Sequence, residues 1–136
     1  MIKTQSKNSY TRSIGRRKSA VASLKLFSGK GDSAINGLAL DKYFPTKTEK
    51  IVYEKPFEIT KTLGKYYFQA KILGGGKTGQ VQALSLAISR SLVKINETFK
   101  TGLRAEGLLT VDSRIKERRM VGTGGKSRRQ KQSPKR

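Results

Sequence analysis

The stretch Leu73-Gly74-Gly75-Gly76-Lys77-Thr78-Gly79-Gln80 constrains this chain most, because four glycines in six positions separate two segments of different period. Upstream, from Lys65 to Leu73, residues alternate. Tyr66, Phe68, Ala70 and Ile72 fall on one side, and Lys65, Tyr67, Gln69 and Lys71 on the other. That is the pattern of a strand with one face in a core and the other toward solvent or a polyanion. Downstream, Val81, Leu84, Ile88, Leu92 and Ile95 recur at helical spacing and predict a helix over 80–96. The unit is a strand, a glycine turn and a helix. Glycine permits positive φ and close backbone approach. The unpaired amides of a helix start suit a phosphate.

The spacing decides whose phosphate this is. A P-loop needs a glycine five residues before the one that precedes the lysine, and that position is Lys71. The dinucleotide pattern G-x-G-x-x-G is matched by Gly74, Gly76 and Gly79. It also requires a second parallel strand ending in an acidic residue about twenty residues on. The corresponding segment, Asn96 to Gly102, is polar and turn-like. An RNA backbone, or a tight turn with no ligand, remains, and the charge of the chain decides between them.

The chain has 136 residues, which sets one domain as the expectation, and its 30 Lys and Arg against 9 Asp and Glu give a net charge of +21. Such a charge calls for a polyanion, with nucleic acid ahead of an acidic membrane surface. Nothing approaches the roughly eighteen consecutive apolar residues of a membrane-spanning helix. The polar segment from Met1 to Ser13 reads as neither a signal peptide nor a transit peptide. With no Cys and no His, disulfides and thiolate-bound zinc are excluded, and the commonest general base and metal ligand are missing. Asp32, Asp41, Glu54 and Glu58 are single acids that read as caps and surface pairs, so neither an enzyme, a metal site nor a cofactor is expected.

The charge is concentrated at the ends. Residues 1–30 and 118–136 each carry eight basic and no acidic residues, flanking a middle of nearly ordinary balance. Residues 1–11 read as a loose arm, 12–111 as the globular domain and 112–136 as an extended basic tail, which from about Glu117 onward is expected to be unstructured on its own because nothing there can form a core. Within the domain, Ser19 to Phe27 alternates as a strand. Gly29-Lys30-Gly31 reads as a hairpin turn into a short return strand from Asp32 to Asn36. Leu38, Leu40, Tyr43 and Phe44 form an apolar cluster. A helix starts at Thr46 with Glu49 at capping-box spacing and is expected to end at Pro56, with a short extended piece at 57–60. A last helix is expected over 99–106, with Gly107 beyond its end and Leu108-Leu109 packing back.

Phosphate partners are plentiful: Arg16, Arg17, Lys18, Lys65, Lys71 and Lys77, then Arg118, Arg119, Lys126, Arg128, Arg129, Lys131, Lys135 and Arg136 in the tail. Arginine forks phosphate oxygens with paired hydrogen bonds, and lysine acts as a point charge. The Gly74–Gln80 loop adds backbone amides. Tyr66 and Tyr67 are candidates to stack on bases, one of them belonging to the core. No helix-turn-helix, zinc finger or basic zipper is visible, which favours folded RNA over DNA read by sequence.

With these residues in view, the chain from about Thr11 to Arg136 closely resembles the family of the ninth protein of the small ribosomal subunit, in its bacterial and plastid form. The resemblance is carried by Gly15-Arg16-Arg17-Lys18-Ser19-Ala20-Val21-Ala22, Asn36-Gly37 and Tyr43-Phe44-Pro45. It continues through Gly74 to Gln80, Ala87 to Leu92, Gly107 to Arg114 and the terminal Lys135-Arg136. It implies an α/β (α+β) domain similar to the second domain of the fifth small-subunit protein, with helices on one face of a mostly four-stranded sheet, plus the tail. It also implies binding to the 16S-type rRNA of the subunit head and contacts with neighbouring ribosomal proteins. The tail would thread toward P-site tRNA, with Lys135 and Arg136 at the contact. On the rRNA side it puts Arg16, Arg17, Lys18, Lys71, Gly74, Gly75, Gly76, Lys77, Thr78, Gly79 and Gln80, and the tail residues Arg118, Arg119, Lys126, Arg128, Arg129 and Lys131. The setting is a ribosome in a plastid (chloroplast) or the bacterial cytoplasm, without membrane or cofactor.

Two departures stand out. The glycine usual in the family near Leu86-Ala87 is absent, which questions close packing of the helix there. Gln132-Ser133-Pro134-Lys135-Arg136 lacks the aromatic usual in the tail, and with it any stacking that residue provides. The alternative from another class is an extraribosomal RNA- or DNA-binding regulatory module. Such a module is expected to gather base-reading polar groups on one element, and no element of this sequence does so.

Overall fold

The computed structural model describes residues 9–129 and 132–135. A five-stranded sheet in the order β1-β2-β5-β3-β4 is covered on one face by helices. Three strands are long: β1 (Tyr10–Arg17), β2 (Ala20–Ser28) and β5 (Tyr66–Leu73). β3 (Ala34–Ile35) and β4 (Leu38–Ala39) have two residues each, so the sheet holds one strand more than the resemblance implies. Between β4 and β5 come a one-turn helix α1 (Leu40–Tyr43) and α2 (Lys47–Ile59). After β5 come α3 (Lys77–Ile95) and α4 (Phe99–Ala105).

Strand alternation builds the core. Ala20, Ala22, Leu24 and Leu26 of β2 and Phe68, Ala70 and Ile72 of β5 point to the helices and are buried. They meet Val81, Leu84, Ile88 and Leu92 of α3, as the helical spacing predicts. Ile95, the last residue of that stripe, is 39 % exposed. α3 begins three residues earlier than expected, at Lys77 with Gly76 as N-cap, so Lys77, Thr78 and Gly79 belong to its first turn. α4 ends as expected. Gly107 takes φ 70°, and the amides of Leu108 and Gly107 donate to the carbonyls of Leu103 and Arg104, the Schellman closure. Leu108 and Leu109 then pack on the core.

Four expectations differ from the structure. The segment read as a loose arm through Thr11 reaches into β1, which starts at Tyr10; residues 1–8 lie outside those described. The segment after Gly29-Lys30-Gly31 does not return beside β2. β3 pairs in parallel with β5 and in antiparallel with β4, while β2 lies between β1 and β5. A short loop cannot reveal this, because the partner of β3 lies some thirty residues downstream. Pro56 does not end α2, and 57–60 is not extended. The helix runs on to Ile59 because Tyr53, Pro56 and Phe57 are all buried on its inner side, and that packing outweighs the missing amide. At the start of α2, Glu49 does accept the Thr46 amide at 3.2 Å.

The tightest approach in the molecule joins β1 to α3. A Cβ at Gly15 would sit 1.9 Å from the Ala83 carbonyl oxygen and 2.7 Å from the Ala87 nitrogen. Two residues along, the Ser13 hydroxyl donates to the Ala87 carbonyl and shares a second hydrogen bond with Ser91, both at 2.6 Å. So the small residues Ala83, Ala87 and Ser91, four apart, form the groove that receives β1. Close packing at Ala87 therefore needs no glycine in the helix, because the glycine stands on the strand.

Gly15→Ala is expected to lower stability by about 1–3 kcal/mol through overpacking, read as a fall in the urea midpoint. Gly76 has an ordinary φ of −95° and open space where a side chain would stand. Gly76→Ser is expected to leave the midpoint unchanged or raise it slightly, since serine is a good N-cap.

Candidate nucleic-acid interface

Two sequence-distant candidates come together at the N-terminal end of α3. The first is the two-residue turn between β1 and β2, Lys18-Ser19, with Lys18 held at φ 52°. The second is the glycine loop. Gly74 and Gly75 both have positive φ, 72° and 69°. A Cβ at Gly74 would lie 2.5 Å from the Ser19 carbonyl oxygen, and one at Gly75 would lie 2.9 Å from the Ala20 side chain. These two glycines are required by the fold, because the loop lies directly on the turn. Gly79, buried in the first turn of α3, packs at ordinary distance on Arg17 and Ala20. The exposed groups left on this surface are Lys18, Gly76, Thr78 and the Lys77 side chain, while Arg16 falls on the open face of the sheet by strand alternation.

Lys77 and Gln80 also work within the domain. The Lys77 Nζ donates to the Tyr43 carbonyl at 3.0 Å and stands 3.7 Å from the centroid of the Tyr43 ring. The Gln80 side chain donates to the Gly74 carbonyl and accepts from the Tyr43 hydroxyl, both at 3.0 Å. Together they fasten α1 to the loop. The Lys77 ammonium has three donors, and the Tyr43 carbonyl takes one of them.

Arg17 is not grouped with its neighbours. It points to the helix side, where its Nε donates to Gln82 Oε1 at 2.8 Å and its guanidinium donates to the Arg114 carbonyl at 3.1 Å. The same group pairs with Asp112 at 3.2 Å. Asp112 in turn takes the Arg114 side chain at 2.8–3.2 Å and the Arg114 amide at 3.0 Å. This network ties the root of the tail to the end of β1. The hydrogen bonds from Arg114, with its charge and that of Arg17, hold the Asp112 carboxyl well below its ordinary value of 3.8.

Lys71 lies elsewhere, on the open face of the sheet. Arg118, Arg119, Lys126, Arg128, Arg129 and Lys135 lie along the tail, exposed and outside any helix or strand. Positive φ at Gly122, Gly124 and Gly125 and a Thr123–Lys126 hydrogen bond bend the tail between 120 and 128. Lys131 and Arg136 lie outside the described residues. Of the two candidate stacking rings, Tyr66 packs against the core. Tyr67 lies against Phe27, with ring centroids 5.0 Å apart, and under the backbone of Gly31. Among the described residues no group of three potential metal ligands occurs.

Sequence reasoning missed several cations, among them Lys25 on the open face of the sheet. Arg90 and Lys94 of α3 donate to the Ile14 and Arg12 carbonyls on the free edge of β1, both at 2.7 Å, which blunts an edge strand. Arg12 projects from the open face. Their spacing of four on α3 was a usable signal only once β1 was known to be an edge.

Because the folded value of Asp112 is depressed, the tail-root network is fully present above 3.8 and weakens as pH falls toward the lower value. Exchange protection of the Arg114 amide is expected to hold from pH 7 to 5 and to decline only below 3.8. Asp112→Ala, which removes the acceptor, is expected to lose that protection at neutral pH with little change in melting temperature, since surface ion pairs contribute little to stability.

The family model for ribosomal protein S9/S16 matches residues 15–136. The small ribosomal subunit protein uS9 of Cytophaga hutchinsonii is 47 % identical over 109 residues, which cover 80 % of this chain and 85 % of the relative. That of Methylacidiphilum infernorum is 44 % identical over 122 residues, 90 % of each chain. That of Maridesulfovibrio salexigens is 43 % identical over 111 residues, 82 % of this chain and 85 % of the relative. A strand–glycine turn–helix unit with a basic hairpin turn packed on it, matched over that length, places this chain in the ribosomal protein S9/S16 family.

Proposed function

We propose that the chain is a structural constituent of the small ribosomal subunit that binds the 16S-type rRNA of the subunit head and extends its tail to P-site tRNA. The observation that carries this reading is the meeting of the Lys18 turn and the glycine loop at the start of α3, on a protein of net charge +21. Exposed cations and backbone amides there form one surface with no acidic group among Lys18, Gly76, Lys77 and Thr78. Such a surface binds phosphate without reading sequence. The domain anchors the protein, the tail runs between RNA segments, and Lys135 and Arg136 approach the tRNA. Neighbouring ribosomal proteins of the head complete the surroundings. The ribosome is that of a bacterium or a plastid.

The apolar side chains Ile115, Met120 and Val121 stand 70–83 % exposed along the tail, and a solvated linker has no use for them. Embedded among RNA and protein they are covered.

Affinity for small-subunit rRNA is expected to fall steeply with salt, by a log–log slope of about −0.7 to −0.9 per phosphate neutralised. A salt-independent affinity, or tight selective binding of ATP, GTP or NAD by the free protein, would sink the reading. For the tail, subunits are assembled with full-length protein and with protein lacking residues 132–136. The truncated protein is expected to incorporate normally while P-site tRNA binding weakens. Unchanged tRNA affinity would reduce the tail to RNA contact alone, and failed incorporation would assign its end to assembly.

A further inference from the structure

The face of the sheet turned away from the helices carries no acidic residue on its three long strands. Its centre is cationic. Arg12 lies beside Lys25 across the β1–β2 ladder, and Lys71 lies one step along on β5, opposite Ser23. None of the three joins an ion pair among the described residues. Neighbouring strands lie about 4.8 Å apart, so the like charges stand close together and repel until a polyanion covers them. Ser23 and Gln69, between the cations, make no side-chain hydrogen bond among the described residues and are free to meet a partner.

One end of this cationic strip is aromatic. Tyr10, Phe27 and Tyr67 lie side by side by register. Tyr67 is closed in by Phe27 and Gly31, and Phe27 sits between Tyr67 and Tyr10, whose ring centroid is 5.6 Å away. Tyr10 ends the row, 48 % exposed, with the Lys25 ammonium 5.1 Å from its centroid. A ring held by its neighbours with a cation at its side is a preformed stacking platform for a nucleobase and its phosphate.

We propose that this open sheet face is a second RNA-contact surface, distinct from the turn-and-loop surface. It takes an unpaired, splayed segment of ribosomal RNA, with the backbone on Arg12, Lys25 and Lys71 and a base stacked on Tyr10. The proposal rests on the reading of the chain as an rRNA-bound subunit protein. An acidic protein surface would satisfy the cations but leave Ser23, Gln69 and the Tyr10 ring without matched partners. A duplex would reach the cations but offer no free base face to Tyr10.

The chain has no cysteine, so single-cysteine probes are unambiguous. Ser23→Cys, at the centre of the face, and Ser127→Cys, in the tail, are each loaded with tethered iron–EDTA and assembled into small subunits. The Ser23 probe is expected to cleave rRNA in one local cluster different from the tail probe's cuts. Cleavage from Ser127 without cleavage from Ser23 would overturn the proposal and leave the ribosomal reading intact. Absence of both variants from the subunit, with the wild-type chain also absent, would overturn both. In rRNA binding, Tyr10→Leu is expected to lower affinity roughly five- to a hundredfold. The combined Arg12→Gln, Lys25→Gln, Lys71→Gln variant is expected to make the salt slope shallower by about 2–3. These side chains are exposed, so melting temperature should hold. A changed slope with no effect of Tyr10→Leu would overturn the stacked base, and no change in either would overturn the surface.

Discussion

The contact of Gly15 with the Ala83 and Ala87 backbone is the point on which the architecture turns. Without a side chain at residue 15, β1 lies flat on α3, and everything placed by β1 follows. Ser13 then reaches the Ala87 carbonyl and Ser91. Arg90 and Lys94 reach the edge carbonyls, and Arg17 comes to stand over Gln82. The turn after β1 is carried to the start of α3, where Gly74 and Gly75 receive it. The basic turn and the glycine loop share a surface because one strand lies unusually close to one helix.

β5 and α3 could be read from the sequence because each buries a face of large apolar residues, and that face has a clear period. β1 could not. Its inward residues are Thr11, Ser13, Gly15 and Arg17, which show no hydrophobic alternation. They are small or polar because the groove is shallow and lined by the helix backbone, so the polar inner row is itself the trace of close packing. Pro56 misled for a related reason. A proline interrupts a helix by local energetics, but burial of Tyr53 and Phe57 on either side of it is a tertiary term that a local rule does not contain.

The candidate interface was legible by residue type and illegible by partnership. Arg16, Arg17 and Lys18 are contiguous cations, yet strand alternation sends Arg16 to the open face and Arg17 to the helices. Lys18 occupies the turn. Arg17 is consumed by Asp112, Gln82 and the Arg114 carbonyl, groups some 65–97 residues away in the chain. The glycines divide in the same way. Gly74 and Gly75 have positive φ and neighbours that forbid a Cβ, so the fold alone accounts for them. Gly76 has neither, and its place as N-cap of α3, where glycine is well tolerated, accounts for it without a packing requirement.

That division bears on how a chain of this charge assembles. Cations held by the fold, Arg17, Arg90 and Lys94, are already paired with carbonyls and a carboxylate, and ordering them costs nothing further when RNA arrives. Those of the turn and the open face join no ion pair among the described residues, and the cations named along the tail are exposed; a polyanion relieves their mutual repulsion, so counterion release on binding falls on these groups. The Arg17–Asp112–Arg114 network stands between the two classes. As a pair at the surface it contributes little to stability, but it fixes where the tail leaves the domain. A tail rooted at one point searches a smaller volume than one free from Gly107 onward, which raises its effective concentration at a site within reach.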